Sequence, residues 1–198
     1  MKNLISHKYT ITSKNRSDQK GHKPMVIWFS GLSGSGKSSI ASGLEKMLHS
    51  KGFHTFCLDG DNIRLGLNKD LGFSQEERSE NIRRIAEVAK LFNEAGILVL
   101  AAFITPLEKD RNTIRQIVGK QNLIEIFIDT SLEECEKRDV KGLYRKVREG
   151  KIKEFSGISS PFEIPKNPDL SIKTQNISVK EAVNEVVSFL GSIIDINE

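Results

Sequence analysis

The sequence predicts an α/β fold in which a parallel β-sheet lies between helices on both of its faces, giving three layers. Short apolar segments of strand length alternate along the chain with longer segments of helical pattern. Strands and helices that alternate in this way are typical of a parallel sheet with crossover helices. The first apolar segment also runs directly into the glycine-rich stretch GLSGSGKSS, so the sheet is expected to present a glycine-rich loop at one edge.

The first two strands are predicted from short apolar runs. Residues 25–30 (MVIWFS) have strand length, and residues 38–52 place their apolar residues on one helical face and end near a glycine. Residues 53–58 form a second strand. The segment DGDNIR follows that strand directly and is therefore expected at its carboxyl end.

The longest helix is predicted over residues 74–96. Ser74 and Glu77 have capping-box spacing at its start, and Gly96 is the expected C-terminal cap. The apolar stripe of this helix consists of Ile82, Ile85, Ala89 and Phe92.

The second half of the chain continues the alternation. Further strands are predicted over residues 97–104, 123–129 and 169–174. Further helices are predicted over residues 108–118, 131–138 and 179–193. The last two helices begin with serine and glutamate in capping-box spacing: Ser131 and Glu134, and Ser178 and Glu181.

Two segments do not follow this pattern. Residues 1–24 are polar and basic, and we predict an N-terminal arm there, with residues 25–198 forming one domain. Residues 141–166 are basic, rich in Gly, Ser and Pro, and poor in apolar periodicity. Because a long irregular segment inside a compact domain is usually functional or disordered, we predict a flexible lid over residues 141–166.

The composition excludes several classes of protein. The 198 residues fit one domain, and 37% apolar and 28% charged residues are ordinary for a soluble globular protein. No apolar run reaches bilayer length and residues 1–20 lack a signal-peptide core, so we expect a cytoplasmic protein without a membrane partner. The net charge of +4 is modest and the basic residues form no stripe with aromatics, so no nucleic-acid partner is expected.

The glycine-rich stretch is predicted to bind the phosphates of a nucleotide triphosphate. It satisfies the pattern G-x-x-x-x-G-K-[ST] between a strand and a helix; the alternative is a glycine-rich turn that fits by chance. Lys37 is expected to neutralise the β and γ oxygens, and the Ser38 hydroxyl to hold Mg²⁺. The expected ATP-binding residues of the loop are Gly31, Leu32, Ser33, Gly34, Ser35, Gly36, Lys37 and Ser38.

Three observations favour a small-molecule kinase over a GTPase or a motor ATPase. No guanine-reading NKxD segment occurs at a suitable place, since NKDLG at residue 68 comes too early in the fold. The third strand is followed by Thr105 and Pro106 rather than an acid. The chain also has the size of a catalytic core with a lid, so we predict phosphate-loop kinase architecture.

The segment DGDNIR indicates what receives the phosphate. Asp59 and Asp61 are expected beside the phosphate loop, where an aspartate can accept a hydroxyl proton or orient Mg²⁺ through water. Arg64, Arg78 and Asn81 follow, and two guanidiniums there indicate an acceptor that carries an anion. The alternative for both arginines is a surface ion pair with acids of residues 70–77.

Several blocks together resemble the adenylylsulfate kinase (APS kinase) family. They are GLSGSGKSS, DGDNIRLGLNKDLGFSQEERSENIRRIAEVAKLF, AAFITP, RDVKGLYRKVREGKIKEFSGISSPFE and NPDL. They run in order from about Lys23 to the C-terminus. The resemblance implies an enzyme of sulfate assimilation that transfers the γ-phosphate of MgATP to the 3′-hydroxyl of adenosine 5′-phosphosulfate, giving 3′-phosphoadenosine 5′-phosphosulfate (PAPS) and ADP.

The resemblance also implies roles for individual residues. Asp61 would be the base or orienter of the 3′-hydroxyl, and Phe73 and Phe155 would sandwich the acceptor adenine, although from the pattern alone both phenylalanines fit core packing better. Arg138 and the basic residues of the lid would close over ATP. The expected substrate-binding residues are Asp59, Asp61, Asn62, Arg64, Phe73, Arg78, Asn81, Ile104, Lys141 and Phe155. The family is usually dimeric, so a homodimer is expected.

One position differs from the commonest family pattern. The family often has FISP, with a serine described as a phosphorylated intermediate, whereas this chain has FITP with Thr105. We predict direct transfer with Thr105 lining the ligand, because positioning and charge neutralisation carry most phosphoryl transfer. Two alternatives to an active APS kinase are a non-catalytic PAPS-binding relative and another small-metabolite kinase.

Overall fold

The computed structural model describes residue 5, residues 7–191 and residues 193–194. Its sheet has five parallel strands in the order β2-β3-β1-β4-β5. The strands are β1 (Val26–Ser30), β2 (Thr55–Asp59), β3 (Leu98–Ala102), β4 (Leu123–Asp129) and β5 (Leu170–Lys173). The predicted α/β fold with a parallel sheet is confirmed.

Helices connect and cover the strands. The helices in the described part of the chain are α1 (Ser13–Lys20), α2 (Lys37–Ser50), α3 (Gly60–Leu65), α4 (Gln75–Glu94), α5 (Glu108–Val118), α6 (Leu132–Arg138), α7 (Leu143–Arg148) and α8 (Val179–Leu190). A single 3₁₀ turn (Lys120–Asn122) precedes β4. No helix among the described residues combines the length and the apolar character that a membrane crossing requires.

The central strand β1 joins two hydrophobic layers because successive side chains of a strand point to opposite faces. Ile27 and Phe29 are buried with α2 and α8 on one face. Val26 and Trp28 are buried with α4 and α5 on the other. All five β1 residues are buried, so the strand that leads into the phosphate loop is held from both sides.

The strand order brings the predicted site residues together at the carboxyl ends of the strands. β1 lies between β3 and β4, and β2 pairs with β3 on the far side. The glycine-rich loop follows β1, DGDNIR follows β2, and Ile104 and Thr105 follow β3. Ligands bind parallel sheets beyond the carboxyl ends of the strands, where the strand order reverses, and all three segments meet there.

Three helices were missing from the sequence-based assignment, each explained by a local cap. In α3 the Asp59 carboxylate accepts from the Asp61 backbone N–H at 3.0 Å. In α7, within the predicted lid, the Asp139 carboxylate accepts from the Tyr144 and Arg145 N–H groups. In α1, within the predicted arm, Thr12 forms a capping box. Such caps satisfy orphan helix donors without a long apolar stripe.

Of the three predicted capping boxes, two are reciprocal and one is not. Ser74 and Ser178 each exchange hydrogen bonds with the glutamate three residues later. Ser131 accepts from the Glu134 N–H as an N-cap, which satisfies one orphan donor. The C-cap of α4 is Ala95 rather than Gly96, and Gly96 follows with a left-handed φ of 82°.

Candidate active site

The phosphate loop is held open by glycines in backbone conformations that other residues rarely adopt. Gly31, Gly34 and Gly36 have φ values of 146°, 75° and 105°. A Cβ added at Gly31 would lie 2.7 Å from the Ile128 carbonyl oxygen, so no other residue fits without moving β4. The loop that follows leads into the N-terminus of α2, where backbone N–H groups and the helix dipole favour an anion.

Lys37 is buried at the centre of this loop. Its exposed fraction is 8%, and its ammonium group donates to the Leu32 carbonyl at 2.6 Å. Burial lowers the pKa of Lys37 to about 8, and the Asp59 and Asp61 carboxylates oppose that shift. The ammonium group is therefore poorly solvated, and no carboxylate in the described part of the chain contacts it, so a bound phosphate would supply the missing charge.

The back of the loop is held by four side chains from later parts of the chain. The Ser35 carbonyl accepts from the hydroxyls of Thr130 (3.2 Å) and Thr174 (3.3 Å) and from Arg138 (3.3 Å). The Tyr144 hydroxyl donates to the Ser33 carbonyl at 2.8 Å. Arg138 also donates to the Thr174 carbonyl. The predicted ATP residue Arg138 thus supports the loop directly, and Tyr144 links the loop to the lid.

Ser38 and Asp59 bring β2 and the phosphate loop together. The Ser38 hydroxyl donates to the Asp59 carboxylate at 2.6 Å. The neighbouring Asp61 forms an ion pair with Lys141, and their side chains are 68% and 59% exposed. Asn62 lies exposed on α3 beside them. Two carboxylates therefore face the loop, one engaged with the loop hydroxyl and one with the start of the lid.

Arg64 and Arg78 surround the exposed ring of Phe73. Their guanidinium carbons lie 4.4 and 5.3 Å from the ring centroid. Arg64 donates to the carbonyls of Leu71 and Gly72. Burial is the largest cause lowering the pKa of both arginines. Neither arginine has an ion pair within the described part of the chain.

Two acidic side chains that a surface ion pair would need already bind other groups. Glu77 caps the N–H groups of Gly72 and Ser74, and Asp70 pairs with Arg84. Glu77 and Asp70 are therefore engaged elsewhere, as the surface ion-pair alternative for Arg64 and Arg78 does not expect. Both guanidiniums keep donors available for an anion.

Arg78 also connects this cluster to the lid. It donates to the Phe73 carbonyl at 2.8 Å and to the Glu154 carbonyl at 2.6 Å. Phe155, the next residue, is 7% exposed, and its ring meets the Tyr144 ring edge-on at 5.0 Å. In this structure Phe73 faces two guanidiniums and Phe155 lies in a buried cluster, so the adenine sandwich remains a prediction.

Ile104 and Thr105 lie between β3 and the phosphate loop. The Ile104 carbonyl accepts from the Gly31 N–H at 3.3 Å. Thr105 has a φ of 46° and is 1% exposed, and its hydroxyl accepts from the indole N–H of Trp28 at 2.8 Å. The hydroxyl is thus buried and already engaged.

Asn81 is buried beneath the arginine cluster. Its exposed fraction is 5%, and its side-chain oxygen accepts from Asn68 Nδ2 at 2.9 Å. Sequence reasoning did not select Asn68, Tyr144 or Trp28 for the site. Each of the three contributes through a hydrogen bond to a residue distant in the sequence. No local sequence pattern predicts such a bond.

The fold and this site define a phosphate-loop kinase of a small molecule: a loop for the nucleotide triphosphate faces two carboxylates and an arginine pair. A model of the family described as Adenylylsulphate kinase matches residues 23–173. This match covers more than half of the chain, which therefore belongs to the adenylylsulphate kinase family.

Similar proteins agree with this assignment. The chain is 52% identical over 190 residues to an adenylyl-sulfate kinase of Pseudomonas entomophila, covering 96% of this chain and 91% of the relative. A solved structure of a Mycobacterium tuberculosis APS kinase in complex with AMPPNP and APS matches with a TM-score of 0.81 and 47% identity, over 85% of this chain and 98% of that chain. The predicted family and kinase class are confirmed.

A hexameric APS kinase from Thiobacillus denitrificans is also similar, at a lower level. Its TM-score is 0.65 with 27% identity, and the match covers 90% of this chain and 30% of that one. Relatives of this fold thus include one described as a hexamer.

The buried Lys37 predicts how nucleotide affinity depends on pH. Because the pKa of Lys37 in the free protein is lowered to about 8, the ammonium charge is lost as the pH rises through that value. Bound phosphates favour the charged form, so we expect ATP affinity to be constant below pH 8 and to fall up to about tenfold per pH unit above it. Calorimetric titration with ATP from pH 7 to pH 9.5 measures this.

The matched variant for this test is Lys37→Ala. It lacks the titrating amine, so its weaker affinity is expected to stay flat between pH 8 and pH 9.5. A flat profile for the unmodified chain, or the same slope in the variant, would show that Lys37 does not carry the pH dependence.

Proposed function

We propose that this chain transfers the γ-phosphate of ATP to the 3′-hydroxyl of adenosine 5′-phosphosulfate, giving PAPS and ADP, in sulfate assimilation. One observation carries the assignment of the acceptor site: two arginines without carboxylate partners in the described structure flank one exposed aromatic ring. An acceptor with a flat base and an anionic group fits this combination. The similar M. tuberculosis enzyme was solved with APS, which supports the assignment.

Lys37 and Asp61 are the proposed centre of the reaction. Lys37 approaches the β and γ oxygens of ATP in the loop formed by residues 31–38. Asp61 accepts the hydrogen bond of the 3′-hydroxyl and orients it toward the γ-phosphorus. Direct transfer then needs no phosphorylated protein residue. The buried hydroxyl of Thr105, which accepts from Trp28, supports this route.

The remaining substrate-binding residues are assigned by position. Arg64, Arg78 and Asn81 bind the phosphosulfate and ribose in this proposal. The lid at residues 141–166 closes the adenine pocket over the acceptor and limits hydrolysis of ATP by water. The other residues assigned to substrate binding are Asp59, Asn62, Phe73, Ile104, Lys141 and Phe155.

Ser38 and Asp59 are the proposed protein ligands of Mg²⁺. A hydroxyl and a carboxylate 2.6 Å apart beside the phosphate loop are hard oxygen donors of the kind that Mg²⁺ prefers. The described residues contain no group of three His, Cys, Asp or Glu that could hold a metal ion, which fits an ion held mainly by substrate phosphates. When bound, Mg²⁺ would neutralise charge on the β and γ oxygens.

We further propose that the protein acts in the cytoplasm as a homodimer, with residues 1–24 as an arm on the domain formed by residues 25–198. The helix α1 in this arm touches the end of α4, where Arg16 donates to the Glu94 carbonyl at 3.5 Å. Light scattering of the purified chain is expected to give the mass of two chains. The mass of one chain or of six would contradict the dimer.

The activity is tested by ADP release from MgATP with and without adenosine 5′-phosphosulfate. We expect turnover only when the phosphosulfate is present. Asp61→Asn keeps the size of the side chain but removes its charge, so kcat is expected to fall at least about 100-fold. Turnover with other acceptors alone would favour a different metabolite kinase. Tight PAPS binding without turnover would favour a non-catalytic relative.

A pair of arginine variants on the same helix tests the acceptor site within this experiment. Arg78→Gln removes a guanidinium that lies over Phe73, and it is expected to raise the KM for the phosphosulfate at least tenfold. Arg83→Gln removes an exposed guanidinium that pairs with Glu80 and should leave that KM unchanged. Equal effects of the two variants would remove the support for an anion site at Arg78.

The metal site is tested by the dependence of turnover on Mg²⁺. Asp59→Asn retains an oxygen that can cap the Asp61 N–H but loses the charge. The Mg²⁺ concentration for half-maximal rate is therefore expected to rise several-fold at fixed ATP. A Glu45→Gln variant on the nearby helix α2 serves as the charge control. An unchanged Mg²⁺ requirement in Asp59→Asn would exclude Asp59 as a ligand.

A further inference from the structure

A buried amide pair lies beneath the arginine cluster. Asn68, in the turn after α3, is fully buried, and Asn81 on α4 is 5% exposed. Asn68 Nδ2 donates to Asn81 Oδ1 at 2.9 Å. Asn68 Oδ1 is buried and has no hydrogen-bond partner within the described residues.

Protein stability alone does not explain an asparagine at position 68. The buried Asn68 oxygen has no partner, and the cost of such an atom is comparable to what the one hydrogen bond of this side chain contributes. The useful feature of Asn68 is therefore the direction of its one hydrogen bond. In the donating orientation Asn68 leaves only its carbonyl oxygen without a partner, whereas the reversed amide would bury two unpaired N–H groups. Donation is therefore favoured, and it sets which end of the Asn81 amide faces Asn68.

That direction decides what Asn81 offers to a ligand. With its oxygen occupied by Asn68, Asn81 presents its Nδ2 group, which has two N–H donors and no partner in the described part of the chain. Such a group binds the lone pairs of a phosphosulfate or ribose oxygen. The reversed amide would present an oxygen and repel an anion.

The turn that holds Asn68 also positions Arg64. The Asn68 N–H donates to the Ile63 carbonyl at 3.0 Å and its carbonyl accepts from the Leu71 N–H at 3.1 Å. Arg64 donates to the carbonyls of Leu71 and Gly72, at the end of the same turn. One rigid turn therefore orients two groups of the acceptor site.

We propose that Asn68 is a positioning residue that sets the affinity for the acceptor by locking the amide orientation of Asn81. The inference rests on the proposed function, because it requires Asn81 to contact the phosphosulfate acceptor. Asn68 itself does not touch the substrate; its effect is transmitted entirely through Asn81.

Two substitutions separate this role from a structural one. Asn68→Leu removes the donor and the unpartnered oxygen but leaves Asn81 Oδ1 without its donor, so the two effects on stability oppose each other and the unfolding midpoint is expected to change little. The KM for adenosine 5′-phosphosulfate is expected to rise about tenfold or more, with the KM for ATP unchanged. Asn68→Asp presents an acceptor to Asn81 and turns its amide, so the same KM should rise at least as much.

The matched control is Asn93→Leu on the same helix. Asn93 is also 5% exposed and also has an unpartnered polar atom, Nδ2, among the described residues, but it lies at the far end of α4. This variant should leave both KM values unchanged.

The variant Asn81→Ala tests whether the effect passes through Asn81. If it does, Asn68→Leu adds no further increase in KM for the phosphosulfate when Asn81 is already alanine. Additive effects, an equal loss of ATP affinity, or unchanged KM in both Asn68 variants would overturn the inference. If the unmodified chain does not turn over the phosphosulfate, the proposed function itself fails, and this outcome is separate from the others.

Discussion

The site depends on a close approach of backbone to backbone at Gly31. A Cβ at Gly31 would lie 2.7 Å from the Ile128 carbonyl oxygen. Because glycine has no Cβ, the loop packs directly against the end of β4. The N–H of the same residue donates to the carbonyl of Ile104, which follows β3. Because β1 lies between β3 and β4, this one glycine brings the loop, the two neighbouring strands and Lys37 into a fixed arrangement, and the acceptor residues are built around it.

A second constraint connects this arrangement to the lid. Thr105 has a positive φ of 46°, which is costly for a β-branched residue and persists only when its surroundings enforce it. Trp28 donates to its hydroxyl and the buried Arg111 donates to its carbonyl. Arg111 also donates to the carbonyl of Glu163, whose N–H reaches the Pro106 carbonyl. The strained strand end therefore anchors the carboxyl-terminal part of the lid.

Most of the fold could be predicted from the sequence because the periodicity of apolar residues is a local signal. The predicted helix over residues 108–118 and the predicted strand over residues 123–129 have the same first and last residues in the structure. Each has a clear apolar pattern that stops at both of its ends. The short helix α7 was missed because its support is the Asp139 cap and the burial of Tyr144. These depend on the folded phosphate loop, which no window of sequence contains.

The site could be predicted only in part, for the same reason. A motif identifies Lys37, but charge pattern alone could not decide whether Arg64 and Arg78 pair with acids. The structure decides it, because Glu77 caps a turn and Asp70 pairs with Arg84. The buried hydrogen bond from Asn68 to Asn81 joins residues 13 positions apart. The sequence around neither residue predicts it.

The two carboxylates after β2 differ in what holds them, and this difference suits their proposed roles. Asp59 is held at both oxygens, by Ser38 and by the N–H of Asp61, so it is positioned before any ligand arrives. Among the described residues the Asp61 carboxylate is held by Lys141 alone, in a pair with both side chains more than half exposed. An exposed ion pair contributes at most about 1 kcal/mol, so an incoming hydroxyl can displace it at little cost. The same exchange releases Lys141 from Asp61, while Ser38 and Asp59, the ligands proposed for Mg²⁺, stay in place.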